Sequence, residues 1–163
     1  TECAPLSSKG DNGNFNPGKK LFWEVGAISE CGIRDSNEDS FLILNDLISV
    51  LLSCGENIDG NSSESHSKIV KEKINLLFPD VNTFGLFAIF DGHLGNQAAR
   101  FAAEKLPYFI TKALCSFDLD PLLSVGKMME KIISNALIDL DKSFCRICVE
   151  DGRDWECGAT VLV

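Results

Sequence analysis

Hydrophobic residues in this chain fall into short continuous runs and into longer segments with helical spacing. Two runs rich in strand-forming residues, at 21–28 and 40–44, predict strands that pair as a hairpin around the polar turn at 31–39. A nearly continuous apolar run at 84–90 predicts a strand buried on both faces of a sheet. The final residues, 158–163, predict the start of a further strand.

Three segments carry apolar residues at the three- and four-residue steps of an amphipathic helix. The first, at 68–78, ends before Pro79. The second, at 97–115, contains Pro107, which predicts a kink or a break. The third and longest lies at 121–148.

Polar stretches of low hydrophobicity separate these elements. Residues 1–20 predict a flexible leader, and residues 54–67, rich in Gly and Ser, predict a mobile loop. We interpret the whole segment 45–83 as an insertion between two strands of a domain that covers 21–163. One domain agrees with the length of the chain, 163 residues.

Charge and cysteine content limit the partners and the compartment. The 15 basic and 24 acidic residues give a net charge of −9, which argues against nucleic acid and against anionic membrane surfaces as partners. The longest apolar stretch, at 41–52, is interrupted by polar residues and is too short to span a bilayer. Seven irregularly spaced cysteines do not form a disulfide pattern and favour a reducing compartment, the cytoplasm or the nucleus.

The most informative local signal follows the apolar run at 84–90, where Asp91-Gly92-His93 is followed by Leu94 and Gly95. A carboxylate and a backbone carbonyl at the end of a buried strand are oxygen ligands for a hard cation. A histidine beside that ion is placed for proton transfer. A plain turn explains the same residues, because Asp-Gly is a common turn dipeptide.

A second signal lies in the polar turn, where Arg34 precedes Glu38 and Asp39. An arginine is suited to bidentate recognition of a phosphate, and the two acids could hold a metal directly or through its waters. A solvated loop with its own ion pairs is the alternative interpretation.

A third signal is the C-x-x-C formed by Cys145 and Cys148. A zinc site needs a second pair of ligands, and a thioredoxin-type motif opens a helix, whereas this one closes a helix. A packed helix face is the favoured interpretation, and a metal-binding or redox domain is the alternative.

Taken in order, these motifs resemble the metal-dependent Ser/Thr protein phosphatases of the 2C type. The pattern Arg-x-x-Asn-Glu-Asp appears as Arg34 to Asp39, the Asp-Gly-His-x-Gly pattern begins at Asp91, and the Gly-Ala-Thr motif begins at Gly158. Leu94 stands where the family usually has glycine. The later Asp-bearing motifs of the family would lie beyond Val163, so we expect the chain to hold the N-terminal part of the domain.

The resemblance implies an α+β fold, a two-layer antiparallel β-sandwich flanked by helices. It also implies hydrolysis of phosphoserine and phosphothreonine in proteins by a water that two Mg²⁺ or Mn²⁺ ions activate. Asp91 would bridge the ions, the Gly92 carbonyl would bind one of them, and Glu38 and Asp39 would hold their waters.

The same resemblance assigns roles to two further side chains. Arg34 would bind the phosphate oxygens, and His93 would act as general acid for the leaving alkoxide. The expected partners are phosphorylated protein substrates, and the protein is expected to be monomeric. The alternative is a phosphatase-like binding or regulatory module without catalytic competence.

Overall fold

The computed structural model describes residues 25–55, 58, 63–79, 84–153 and 155–163. The predicted leader at 1–20 lies outside these ranges. The described residues form three strands and four helices: β1 (Ser40–Leu44), α1 (Leu47–Gly55), α2 (Ser63–Leu77), β2 (Leu86–His93), α3 (Gln97–Ser116), α4 (Val125–Glu150) and β3 (Gly158–Leu162).

The three strands form one antiparallel sheet with β2 in the centre. β1 pairs with β2 from Ser40 opposite Phe90 to Leu44 opposite Leu86. β3 pairs with the other edge of β2, with His93 opposite Gly158 and Ile89 opposite Leu162. The described residues are therefore α+β, as expected, while the second sheet of a sandwich stays a prediction.

The expectation that β2 is buried on both faces is wrong. Side chains alternate strictly along this strand, with Leu86, Ala88 and Phe90 buried while Phe87 and Ile89 are exposed. Helix α3 packs against β2, and the opposite face is open within the described residues. The apolar residues on that open face hide the two-residue period in the sequence, because both faces are hydrophobic.

The predicted hairpin is not seen among the described residues. Residues 25–28 lie outside any strand, and residues 21–24 lie outside the described ranges. β1 pairs with β2 along one of its edges. A pairing of residues 21–24 with β1 stays a prediction.

Helix α3 continues through Pro107, where the sequence predicted a kink or a break. Proline lacks the N–H that would bond to the carbonyl one turn earlier. The residues around it, Leu106, Phe109 and Ile110, are all buried, so packing offsets the lost hydrogen bond. The Thr111 hydroxyl donates to the Pro107 carbonyl at 2.8 Å.

Helix α4 confirms the longest predicted helix. The Ser124 hydroxyl accepts from the Lys127 N–H at 3.3 Å and caps its first turn. One residue in every four faces the core, and these residues are Met128, Ile132, Ala136, Leu140 and Phe144.

The segment 45–83 contains two helices that contribute to the core. The loop predicted at 54–67 is wrong at both ends. Cys54 and Gly55 are the last residues of α1, and residues 63–67 are the first residues of α2. Five side chains of α1 and α2 are almost fully buried: Leu47, Leu51, Val70, Ile74 and Leu77. That 45–83 is an insertion stays a prediction.

Lys73 on α2 reaches the C-terminal end of α3. Its Nζ donates to the carbonyl oxygens of Leu114, Cys115 and Phe117 at 3.0, 2.8 and 2.5 Å. α3 has no basic residue in its own last turn. Lys73 therefore supplies both donors and positive charge where a helix terminus needs them.

Within the described ranges, none of the helices has the length and hydropathy required of a membrane span.

Candidate active site

The two main sequence motifs meet at the C-terminal end of β2. Gly92 is buried directly against the backbone of Glu38, so that a Cβ atom at position 92 would overlap the Glu38 carbonyl oxygen. Only glycine permits this approach, because every other residue carries that atom. The glycine that sequence analysis assigned as a possible ligand thus also allows the two motif segments to pack together.

The turn after β2 is held by the Glu38 carboxylate. The backbone N–H of Gly95 donates to Glu38 Oε1 at 2.7 Å. The turn uses two residues with positive φ, Leu94 at 57° and Gly95 at 122°. A non-glycine residue in the left-handed region is uncommon, and Leu94 occupies the position where the resembled family usually has glycine. Its side chain is 72% exposed, so burial does not compensate for the backbone conformation.

The third motif reaches the same place through β3. Gly158 lies opposite His93 in the β2–β3 register. A Cβ atom at position 158 would come within 2.5 Å of His93 Nε2, so the imidazole lies directly over the glycine. The His93 ring therefore packs against the first residue of the Gly-Ala-Thr motif.

Asp91 is exposed on the open face of the sheet, opposite Thr160 of β3. Ser40 pairs with Phe90, so continuing that register by one residue places Asp39 next to Asp91. Paired residues of an antiparallel sheet project to the same side, and both aspartates are exposed. The structure brings these two carboxylates to one end of the sheet.

Arg34 lies in the exposed turn that precedes these acids. Its carbonyl accepts from the Cys31 thiol at 2.6 Å, and its own N–H donates to the Cys31 carbonyl at 3.3 Å. The guanidinium makes no ion pair with the described residues. The turn therefore leaves the charged group available to solvent.

Sequence reasoning missed one residue that positions the acids. Asn37 Oδ1 accepts from the N–H of Asp39 at 3.0 Å, and its Nδ2 donates to the Ser29 hydroxyl at 2.6 Å. An Asn two residues before a backbone N–H is the signature of an Asx turn, which would have been the signal. Asn37 thus connects the Ser29 side chain to the backbone of Asp39, the residue directly before β1.

The donor atoms at this site suit a hard cation in their chemistry, because Asp91, Asp39 and Glu38 offer oxygen ligands. As a group they do not complete a binding site. Among the residues that the structure describes, no three His, Cys, Asp or Glu side chains converge closely enough to hold a metal.

Comparisons with known proteins agree with the motif geometry. A family model described as Protein phosphatase 2C matches residues 23–163. "Probable protein phosphatase 2C 22" of Arabidopsis thaliana is 24% identical over 127 residues, which are 78% of this chain and 24% of that protein. "Protein kinase and PP2C-like domain-containing protein" of the same plant is 28% identical over 137 residues, which are 84% of this chain and 16% of that protein. The chain thus spans a quarter or less of the length of these relatives. No solved structure matches the chain significantly.

Proposed function

Because this chain belongs to the protein phosphatase 2C family, we propose that it takes part in the metal-dependent hydrolysis of phosphoserine and phosphothreonine in proteins. The observation that carries the proposal is the meeting of three separate motif segments at one end of β2. The backbone of Glu38 packs on Gly92, Gly158 packs under His93, and Asp91 directly precedes these two residues in the strand. The motifs thus act as one site although they are far apart in the sequence.

In this proposal, oxygen atoms from the acidic motif before β1 and from the Asp-Gly-His motif would bind two Mg²⁺ or Mn²⁺ ions. The Asp91 carboxylate and the Gly92 carbonyl would hold these ions, and Glu38 and Asp39 would hold their waters. When bound, such dications lower the pKa of a water molecule, so that a hydroxide nucleophile is available near neutral pH. The described carboxylates do not form a complete set, so the proposal requires further ligands from outside the described residues.

Two side chains act on the substrate itself. Arg34 binds the phosphate oxygens, and a guanidinium can do so in a bidentate geometry. His93 donates a proton to the serine or threonine oxygen as it leaves, because an alkoxide is a poor leaving group without that proton. His93 lies at the end of β2 with its ring over Gly158, two residues after Asp91 and on the same exposed face of the strand.

The proposal extends to the setting in which the protein acts. Its substrates are phosphorylated proteins and it acts as a monomer. The net charge of −9 supports partners other than nucleic acid and anionic membranes. The seven cysteines without a disulfide pattern support the cytoplasm or the nucleus.

The test is a phosphatase assay on the full-length protein with a phosphothreonine peptide. The protein is first stripped with a chelator, and Mg²⁺ or Mn²⁺ is then restored in separate samples. Phosphate release that disappears with the chelator and returns with either ion supports the proposal. Binding of the phosphopeptide without hydrolysis at any ion concentration would instead support a phosphatase-like binding module.

A further inference from the structure

Three of the cysteines line a single cavity of about 450 Å³ between α3, α4 and β3. Cys145 and Cys148 come from the last turns of α4, and Cys157 precedes β3. The remaining wall is mainly apolar and includes Phe144 and Trp155. The cavity therefore brings together thiols from α4 and from the short connection that follows it.

Aromatic contacts hold that connection against α4. The Trp155 ring stacks on Phe144 with ring centroids 5.9 Å apart and an interplanar angle of 16°. The Arg153 guanidinium lies over the Trp155 ring, with its central carbon 4.6 Å from the ring centroid. Trp155 is thus fixed between α4 and the residues that lead to Cys157.

Cys157 and Cys145 both lie close enough to Cys148 to affect the ionisation of its thiol. Burial raises the pKa of the Cys148 thiol, and the neighbouring Cys157 and then Cys145 raise it further. Of the two neighbours, Cys157 has the larger effect on Cys148. The third thiol, Cys145, lies on α4 three residues before Cys148, so a Cys145–Cys148 bond is the competing pairing that the experiment must distinguish.

We propose that Cys148 and Cys157 are a site of reversible oxidation that hydrogen peroxide converts to an intramolecular disulfide. The Cys157 thiolate attacks one peroxide oxygen, which gives a sulfenic acid and, after protonation, releases one water molecule. The Cys148 thiol then attacks the sulfenic sulfur, which forms the S–S bond and releases a second water molecule. Two thiols are thereby oxidised, and one peroxide is reduced to two waters.

The site is linked to the turn after β2 by direct packing. The Cys157 Cβ lies 3.5 Å from the position that a Cβ atom on Gly95 would occupy. The next residue, Gly158, carries the His93 ring. A disulfide that draws Cys157 towards α4 therefore acts on the packing of both Gly95 and His93.

The experiment uses the reduced full-length protein treated with hydrogen peroxide, after which free thiols are alkylated. Trypsin cleaves after Arg146 and Arg153, so the three cysteines fall on three separate peptides. We expect the peptide that holds Cys148 linked to the peptide that holds Cys157, with a mass lower by two hydrogen atoms than their sum. The linked species should disappear when dithiothreitol is added before alkylation.

Two variants and one further measurement complete the design. Cys157→Ser should reduce the linked species to background, whereas Cys145→Ser should leave its yield unchanged. Amide hydrogen exchange at Gly95 should become faster in the linked protein and return on reduction.

The wild-type peptide map needs no variant and decides the pairing by itself. A Cys145–Cys148 link, or single-thiol oxidation without any link, would overturn the proposed disulfide. Unchanged exchange at Gly95 in fully linked protein would overturn its connection to the turn. None of these readouts requires phosphatase activity, so they fail or succeed independently of the proposed function.

Discussion

The Glu38 carboxylate accepts a hydrogen bond from the backbone N–H of Gly95 at 2.7 Å, across 57 residues of sequence. This contact connects the acidic motif before β1 with the turn that follows the Asp-Gly-His segment. A charged acceptor on a partly buried N–H gives one of the stronger hydrogen bonds in a protein. The first prediction tests how much this single contact stabilises the site.

Glu38→Ala should lower the free energy of unfolding by about 1–2 kcal/mol, because the Gly95 N–H loses its acceptor. Glu38→Gln keeps an acceptor oxygen and should cost less than half as much. Urea unfolding of both variants measures the difference. As a control, Glu130→Ala removes a carboxylate from an exposed ion pair with Lys127 and should change little. Equal costs for the Ala and Gln variants of Glu38 would contradict this role.

Leu94→Gly should stabilise the protein by about 1 kcal/mol, since glycine adopts positive φ without the steric cost that a Cβ atom brings. Leu94 has φ 57° and is 72% exposed, so the lost side chain removes little burial. The matched control is the reverse change at Gly152, where φ is 60° and the surrounding space is open. Gly152→Ala should destabilise by a similar amount. A destabilising Leu94→Gly would show that the leucine side chain has a role in packing.

Gly158→Ala should displace the His93 imidazole, because the added methyl group would lie 2.5 Å from Nε2. Under the proposed mechanism, turnover of a phosphothreonine peptide should fall at least tenfold while the far-ultraviolet circular dichroism stays the same. Gly126→Ala is the control, since it adds a methyl group to open space on a helix and should leave turnover intact. An unchanged NMR signal of the His93 ring in Gly158→Ala would refute the packing argument.

Asp91→Asn should abolish hydrolysis by the full-length protein, because a neutral amide cannot replace a carboxylate on divalent cations. Asp91 is exposed, so the melting temperature should change little. Asp118→Asn, on an exposed residue between α3 and α4, is the control for the same chemical change. Near-normal turnover of Asp91→Asn would remove this residue from the proposed metal site.

Lys73→Met should destabilise the protein by about 1–3 kcal/mol, because it removes donors from three carbonyl oxygens at the end of α3. The methionine keeps most of the aliphatic side chain, so the change tests the charge and its hydrogen bonds. Lys127→Met removes a lysine from an exposed ion pair and should change stability by less than about 0.5 kcal/mol. Thermal unfolding of the two variants provides the comparison, and equal melting temperatures would contradict the capping role.

The sequence predicted which residues form most elements, but not how they pair. Continuous apolar runs identified β1 and β2, and apolar residues at three- and four-residue steps identified the long helix α4. The prediction failed at 63–67, where α2 begins within a polar segment whose composition is typical of a loop. It also failed on the burial of β2, where Phe87 and Ile89 are apolar but exposed.

For the candidate site as well, the sequence predicted which residues take part but not how they are arranged. Motif spacing identified Glu38, Asp91 and His93 as candidates, but how their segments pack depends on close backbone approach at Gly92 and Gly158. The contact between Glu38 and Gly95 joins residues 57 apart in the sequence, so no local pattern predicts it.

The position of Lys73 has an evolutionary consequence. α3 supplies no basic residue at its own C-terminal end and takes its cation from α2, in the segment interpreted as an insertion. Because the charge comes from a different helix, the sequence at the end of α3 can vary without losing it. The dependence is then difficult to reverse, since a deletion of α2 would need a simultaneous compensating change near Leu114. Descendants of this sequence should therefore keep α2, and a lysine or arginine at position 73, even where the connection between α1 and α2 varies freely in length.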